Sequence, residues 1–319
     1  MTSAWAEWEQ RLTHISAAVE LWGERTKTAP VIPPSSALSG DDRPGLSVSN
    51  IAWYPLVIAV EHLDFALSTM RATQTMYPTS YMTTLRTALL TASQAAWVLA
   101  PPQRSERRGR AMRLRMQDLD DQLKLVNSAS ELTDDQERAQ ARDVEELKKQ
   151  LEECREAATA LGLPKSSTAK LNNTDVITEA AKQLHEDPVA ASGVQLLWRT
   201  GSAAAHGQRA YALMRMNSNV VQGEGPRKVM QLRGDLVHDV GPAAAAATLA
   251  ANEAFRLFDL RCGHAPEPAG QLQRIIDLLP GTAPREVPLE MPARSRRVET
   301  SSLWISYPRR PGIPGWAIR

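Results

Sequence analysis

Apolar residues alternate at spacings of three and four through two consecutive stretches in the middle of the chain. The first stretch contains Met112, Met116, Leu119, Leu123 and Val126, and the second contains Val144, Leu147, Leu151, Cys154, Ala158 and Leu161. This spacing places the apolar side chains of each stretch on one face of a helix. Residues 127–135 between them are polar, and Thr133 with Gln136 is typical of a capping box. The pattern predicts an antiparallel helical hairpin over residues 104–163.

The overall composition favours helices along most of the chain. The 319 residues are 43% hydrophobic and 23% charged, a globular balance that argues against disorder. Alanine and leucine are abundant, whereas there are only 3 phenylalanines and 5 tyrosines. Because alanine and leucine favour helix and aromatic residues favour strand, we expect an all-α fold. One exception is expected: a small β-hairpin over residues 217–236, between the last two core helices.

Proline and glycine divide the chain into three predicted regions. Residues 1–48 contain an amphipathic helix with a tryptophan-rich face, then a proline-rich linker or surface loop. Residues 49–263 are predicted to form the helical domain. Residues 264–319 hold nine of the 21 prolines, so we expect an irregular proline- and arginine-rich tail. Its aromatic and arginine side chains suggest either base stacking or a clasp on the core.

Within the helical domain, cap residues and prolines suggest where the helices begin and end. A long helix is expected to begin after Ser49 or Asn50 and to end at Pro78. A second is expected over residues 80–99, and a later one over 189–216. The last core helix begins at residue 241, and Gly263 is typical of its C-cap.

Net charge, cysteines and hydropathy exclude several classes of protein. The chain has 37 lysines and arginines against 36 aspartates and glutamates, so its formal net charge is only +1. Any nucleic-acid contact must therefore come from a local basic patch. The two cysteines, Cys154 and Cys262, are far apart in sequence and lie in no zinc or disulfide motif. No apolar stretch is long enough to span a bilayer. We therefore expect no metal, no cofactor, no membrane contact and a cytoplasmic location.

A cluster of arginines precedes the first arm of the helical hairpin. Residues 104–115 contain six arginines and only one acidic residue, Glu106. The arginines are Arg104, Arg107, Arg108, Arg110, Arg113 and Arg115. Because phosphate neutralisation drives nucleic-acid affinity, these arginines are candidate RNA-binding residues. A solvated basic face, or pairing with the acids at 118–121, would explain the same cluster.

Side chains that could take part in catalysis are concentrated between Arg199 and His206. Seven residues make about two helical turns, so both side chains would project from one face, with Ser202 between them. The other residues of this segment are mostly glycine and alanine, which let a second helix approach closely. An imidazole can exchange a proton near neutral pH, and a guanidinium can hold a phosphate. Together they suit RNA cleavage without a metal ion.

The segment resembles the signature of the HEPN superfamily, an arginine and a histidine separated by four to six residues on the third core helix. Residues 85–99 also resemble the second helix of actinobacterial HEPN-type proteins of unknown function, and the resemblance spans residues 49–263. It implies an up-and-down helical bundle. Many HEPN proteins are homodimeric, metal-independent ribonucleases of toxin–antitoxin and anti-phage systems. The implied catalytic residues are Arg199 and His206, with Ser202 and the polar Thr200 beside them.

Three functions follow from these observations. The first is a HEPN-type endoribonuclease acting as a homodimer on RNA, with an antitoxin or other protein as a further partner. The second is a binding or regulatory module for nucleotides or RNA, because some HEPN domains lack activity. The third is an assembly protein that uses its C-terminal tail. A separate alternative for Arg199 and His206 is that they are simply a surface pair that stabilises a dimer or holds the hairpin.

Overall fold

The computed structural model describes residues 4–208, 217–222, 228–264, 299–300, 302–307 and 317–318, with the backbone alone at 217–222, 228–233 and beyond 264. The protein is predominantly helical, as the composition predicts. The α-helices of the described residues are α1 (Ala4–Thr26), α2 (Ala37–Asp41), α3 (Val48–Thr73), α4 (Pro78–Leu99), α5 (Arg104–Asn127), α6 (Asp134–Ala160), α7 (Asn173–Leu184), α8 (Pro188–Ala205) and α9 (Gly241–Cys262).

Short strands lie outside the helical bundle. Strands β2 (Asn217–Gln222) and β3 (Lys228–Arg233) pair antiparallel where the sequence predicts a hairpin. Two strands of the tail, β5 (Ser302–Tyr307) and β6 (Ala317–Ile318), extend this sheet in the order β2-β3-β5-β6. Strand β1 (Thr75–Met76) pairs parallel with β4 (Glu299–Thr300). Most of the predicted irregular tail lies outside the described residues.

Helices α3, α4 and α9 form the centre of the core. Small side chains on the inner faces of α4 and α9 are almost completely buried, including Ala88, Ala92, Ala247 and Ala251. Small residues let helix axes approach closely, so these faces pack without large gaps. The N-terminal helix α1 docks on this core through its tryptophan-bearing face, as predicted. Its Trp22 ring stacks on Phe255 of α9 at 5.4 Å between centroids.

The segment between α1 and α3 is more than the predicted surface loop. It contains the short helix α2, in which Leu38 and Asp41 have no exposed surface. Helix α3 begins at Val48 after the N-cap Ser47, so the predicted start after Ser49 or Asn50 is wrong by two or three residues. The reason lies in the preceding segment: the carboxylate of Asp42 accepts hydrogen bonds from the backbone N–H and hydroxyl of Ser49.

Helix α3 ends before the proline that was expected to end it. The helix stops at Thr73, and Gln74 adopts a left-handed conformation with φ 52°. Pro78 instead occupies the first turn of α4, where its missing N–H costs nothing. The expectation that no apolar stretch is long enough to span a bilayer does not hold for α3. By length and composition it is the one described helix that could cross a membrane, and half of its most apolar window is buried inside the protein.

Helices α5 and α6 form the predicted antiparallel hairpin. The inner faces of both arms are buried, through Met112, Met116 and Leu119 on one arm and Leu147, Leu151 and Cys154 on the other. The capping box is also confirmed: Thr133 accepts a hydrogen bond from the Gln136 N–H, and the Gln136 side chain accepts one from the Thr133 N–H.

Candidate functional site

Helix α8 carries three of the four predicted catalytic residues, His206 follows as its C-cap, and the helix packs against α4 and α7. Its buried side chains recur at three or four residues and face the core: Ala191, Val194, Trp198, Gly201 and Ala204. The opposite face contains Arg199 and His206, and both are exposed. The helical period therefore points these two residues toward solvent while it anchors the rest of α8.

Gly201 sets the distance between α8 and α4. A Cβ atom at this position would lie 2.6 Å from the Cβ of Arg86 and 3.0 Å from the carbonyl oxygen of Met82. Both separations are shorter than ordinary contacts, so only glycine permits the observed packing. The prediction that small residues admit a close helix is thus confirmed at this position, and the approaching helix is α4.

Arg199 and His206 make no side-chain hydrogen bond, ion pair or ring contact with any described residue. Helical rise places their backbones about 10 Å apart along the same face. Within residues 4–208 and 234–264, Arg142 on α6 is the one other arginine with no such contact. The Arg199 side chain is therefore exposed to solvent without a partner among the described residues.

The two hydroxyl residues of the motif are engaged by the protein itself. Thr200 is buried, and its hydroxyl donates to the Leu197 carbonyl oxygen at 3.0 Å. Its predicted place beside Arg199 in the catalytic group is therefore wrong, because the side chain faces the interior. The Ser202 hydroxyl accepts a hydrogen bond from Nε of Arg86 at 2.7 Å.

His206 lies at the end of α8 and not within it. The helix stops at Ala205, His206 is the C-cap, and Gly207 has a φ of 61°. The prediction of one continuous helix over 189–216 is therefore wrong at residues 206–208, since Gly207 takes a left-handed conformation that terminates helices. Residues 209–216 lie outside the described residues. The imidazole consequently projects from a helix end, where it is less restrained than on a helix interior.

Arg86 on α4 joins the site, although the motif does not include it. Its guanidinium carbon lies 4.1 Å from the ring centroid of Trp198, a cation–π distance. Burial lowers the pKa of this guanidinium below its ordinary value. The sequence does carry a signal for it: Arg86 is the one charged residue of α4. A single charged residue on a helix that is otherwise uncharged indicates that its side chain has specific partners in the fold.

The arginine cluster before the hairpin is largely structural. Arg107 is only 2% exposed and donates to the Asp41 carboxylate from Nε at 2.6 Å and from Nη2 at 2.9 Å. Its predicted RNA-binding role is wrong, because RNA cannot reach it. Arg104 also donates to Asp41, at 3.1 Å. Arg108 donates to the backbone carbonyls of Asp41 and Gly40.

The remaining arginines of this cluster also bind protein groups. Arg110 donates to the Trp97 carbonyl at 2.7 Å and pairs with Glu106. Arg113 donates to two carbonyls of the segment after α6, those of residues 169 and 170. Arg115 contacts Asp118 at 3.5 Å, as the alternative reading expected. The six side chains therefore do not form one free RNA-binding stripe.

Other candidate chemistry is limited in the described part of the chain. There, no three histidine, cysteine or acidic side chains are grouped so as to hold a metal ion. Cys154 and Cys262 are buried free thiols. Burial is the main reason that the pKa of Cys262 is raised to about 11, and the nearby Asp259 carboxylate contributes to the increase. This thiol therefore stays protonated near neutral pH.

The chain was also compared with protein-family models, characterised proteins and solved structures, and no match was found.

Proposed function

We propose that this protein is a metal-independent endoribonuclease whose reacting groups are Arg199 and His206. One observation carries the proposal. Both side chains are exposed on one face of α8 and contact no described residue, while most neighbouring polar and basic groups are bound to the protein. A guanidinium and an imidazole left free on one helix face have the chemistry that RNA cleavage requires.

The proposed reaction uses the 2′-hydroxyl of the RNA as its nucleophile. The imidazole of His206 removes the proton from the 2′-oxygen, which forms a bond to the adjacent phosphorus. The bond from phosphorus to the 5′-oxygen of the next nucleotide breaks, that oxygen takes up a proton from water, and the protonated His206 returns its proton to the solvent. Arg199 donates hydrogen bonds to the non-bridging oxygens, where negative charge increases. The products are a 2′,3′-cyclic phosphate and a 5′-hydroxyl.

A homodimer through α8 would complete this site. The exposed face around Arg199 also carries Leu196, half of which is exposed, and Val189, which is 78% exposed. Exposed apolar side chains beside a polar site favour a protein interface. Two copies packed on this face would present two Arg199 and His206 pairs to one RNA. With the HEPN resemblance, this supports a cytoplasmic toxin or anti-phage role regulated by an antitoxin or other partner.

A non-catalytic RNA-binding module is the second candidate, and the position of His206 favours it. A general base is ordinarily oriented by a hydrogen bond to its second ring nitrogen. His206 has no such partner among the described residues and lies beyond the last turn of α8. In this case Arg199 holds phosphate and His206 adds a contact without proton transfer.

Cleavage of labelled single-stranded RNA in excess EDTA separates these two functions. The ribonuclease proposal predicts cleavage by the parent protein and none by His206→Ala or Arg199→Ala, with unfolding midpoints unchanged because both residues are exposed. His264→Ala is the matched control, since His264 is an exposed histidine just after α9. RNA binding without cleavage by the parent protein would support the binding module instead.

A further inference from the structure

Arg86 is a half-buried cation for which the described residues provide no anion. Its Nε donates to the neutral Ser202 hydroxyl and its plane covers the Trp198 ring. No described carboxylate pairs with it, and burial alone lowers its pKa. Transferring a charge out of water without a counter-charge is costly, so buried charges are normally paired or bind a ligand.

Other buried and half-buried arginines of the described residues show how this protein compensates such a charge. Arg107 binds Asp41, Arg25 binds Asp259, and Arg256 binds Glu253. Arg261 has no carboxylate but donates to three carbonyl oxygens at the end of α4. Arg86 has only a hydroxyl and a ring face. Its terminal nitrogens Nη1 and Nη2 donate to no described residue.

Arg86 is also fixed in position next to the proposed reacting groups. The Ser202 hydroxyl that it contacts lies three residues after Arg199 and four before His206 on α8. Ser202 and Arg199 are therefore neighbours on the surface of α8, with Cβ atoms about 5–6 Å apart, and His206 is the C-cap just beyond the last turn. The stacking on Trp198 and the bond from Nε restrain the guanidinium and leave its Nη edge available.

We infer that Arg86 binds a phosphate group in the site formed by Arg199 and His206. A planar guanidinium with a free edge can donate two parallel hydrogen bonds to phosphate oxygens. The phosphate supplies the negative charge that the described residues do not provide. This inference rests on the proposed function in taking the phosphate to be that of an RNA backbone. Arg86 is a substrate-positioning residue that fixes the backbone while Arg199 and His206 act.

RNA affinity measured against salt concentration tests this inference. Fluorescence anisotropy with a labelled single-stranded RNA is measured in a His206→Ala background, so that no cleavage occurs. Adding Arg86→Gln is expected to weaken binding about tenfold and to reduce the slope of log K against log salt by about 0.7, the value for one phosphate contact on a single strand. Arg142→Gln, which removes an equally free arginine from α6, should leave the affinity within about twofold.

Inorganic phosphate provides a second probe that does not depend on RNA. Phosphate is expected to raise the unfolding temperature of the parent protein above that in chloride of equal ionic strength, and Arg86→Gln should lose this increase. If Arg86→Gln does not fold, Arg86→Lys is used instead. Lysine keeps the positive charge but lacks the planar pair of donors of the guanidinium. Arg86→Lys should therefore retain the slope of log K against log salt and bind RNA more weakly.

The outcomes distinguish this inference from the ribonuclease proposal. If phosphate stabilises the protein through Arg86 but the protein neither binds nor cleaves RNA, the anion site is supported and the ribonuclease proposal is refuted. RNA cleavage and binding that are unchanged in Arg86→Gln refute the inference alone. A parent protein that responds to neither RNA nor phosphate also overturns it.

Discussion

Substitution of Asp41 by alanine is expected to lower the free energy of unfolding by about 3–5 kcal/mol. The Asp41 carboxylate has no exposed surface and binds Arg107, which is 2% exposed, through two hydrogen bonds of 2.6 and 2.9 Å. Without the carboxylate, the Arg107 guanidinium stays buried with only the carbonyl oxygens of Pro101 and Pro102. The cost is therefore that of an uncompensated buried charge, far above the cost of one lost hydrogen bond.

This magnitude is large against the stability of a folded protein, which is typically about 5–15 kcal/mol. Urea unfolding followed by far-UV circular dichroism measures it. Asp118→Ala is the matched control, because Asp118 is 61% exposed and contacts Arg115 at 3.5 Å. Exposed pairs of this kind contribute about 1 kcal/mol or less.

A double substitution checks the physical reason for the loss. Asp41→Leu combined with Arg107→Met removes both buried charges and leaves apolar side chains in their place. It should therefore cost less than Asp41→Ala alone. A loss below about 1 kcal/mol for Asp41→Ala would refute the reasoning, and with it the structural role assigned to the arginines before the hairpin.

Two further predictions concern the contact between α4 and α8 and the buried thiol. Gly201→Ala should destabilise the fold by about 1–3 kcal/mol, because its Cβ would overlap Arg86 and Met82. Gly193→Ala on the same helix meets nothing within 4 Å and should stabilise the fold by up to about 1 kcal/mol, so equal effects in thermal unfolding would contradict the packing argument. The raised pKa of Cys262, about 11, means that the folded state binds this proton more tightly than the unfolded state. Stability should therefore fall as pH rises from about 9 to 11, and Cys262→Ala should reduce this dependence; an identical pH profile would contradict it.

Helices with long periodic patterns and recognisable caps were predictable from the sequence. The α5–α6 hairpin and the Thr133 capping box are local features, because a helix face and its cap depend on residues a few positions apart. The start of α3 was not predictable to the residue. It depends on Asp42, which lies seven residues before the serine whose N–H and hydroxyl it accepts.

The role of the arginines before the hairpin depends on distant partners. Asp41 lies 66 residues before Arg107, in a segment whose prolines and glycines are typical of a surface loop. Sequence spacing alone could not show that this aspartate is buried. A charge cluster therefore has the same appearance in sequence whether it binds RNA or anchors a short helix.

The candidate site was predictable only in part. The helical period correctly placed Arg199 and His206 on the outer face of α8, but Gly207 ends the helix earlier than its apolar pattern suggests. The position of Thr200 beside Arg199 was predicted incorrectly, because its buried orientation depends on how α8 packs against the rest of the protein. Arg86 was missed because it comes from another helix, 113 residues before Arg199. Its signal in the sequence was its status as the lone charge of α4.

The chemical ends of the RNA fragments test the central proposal most directly. Single-stranded RNA is incubated with the parent protein in excess EDTA, and the products are identified by mass spectrometry. The account predicts 2′,3′-cyclic phosphate and 5′-hydroxyl ends from the parent protein, and intact RNA with His206→Ala. Products ending in 3′-hydroxyl and 5′-phosphate, or the same fragments from His206→Ala, would contradict it.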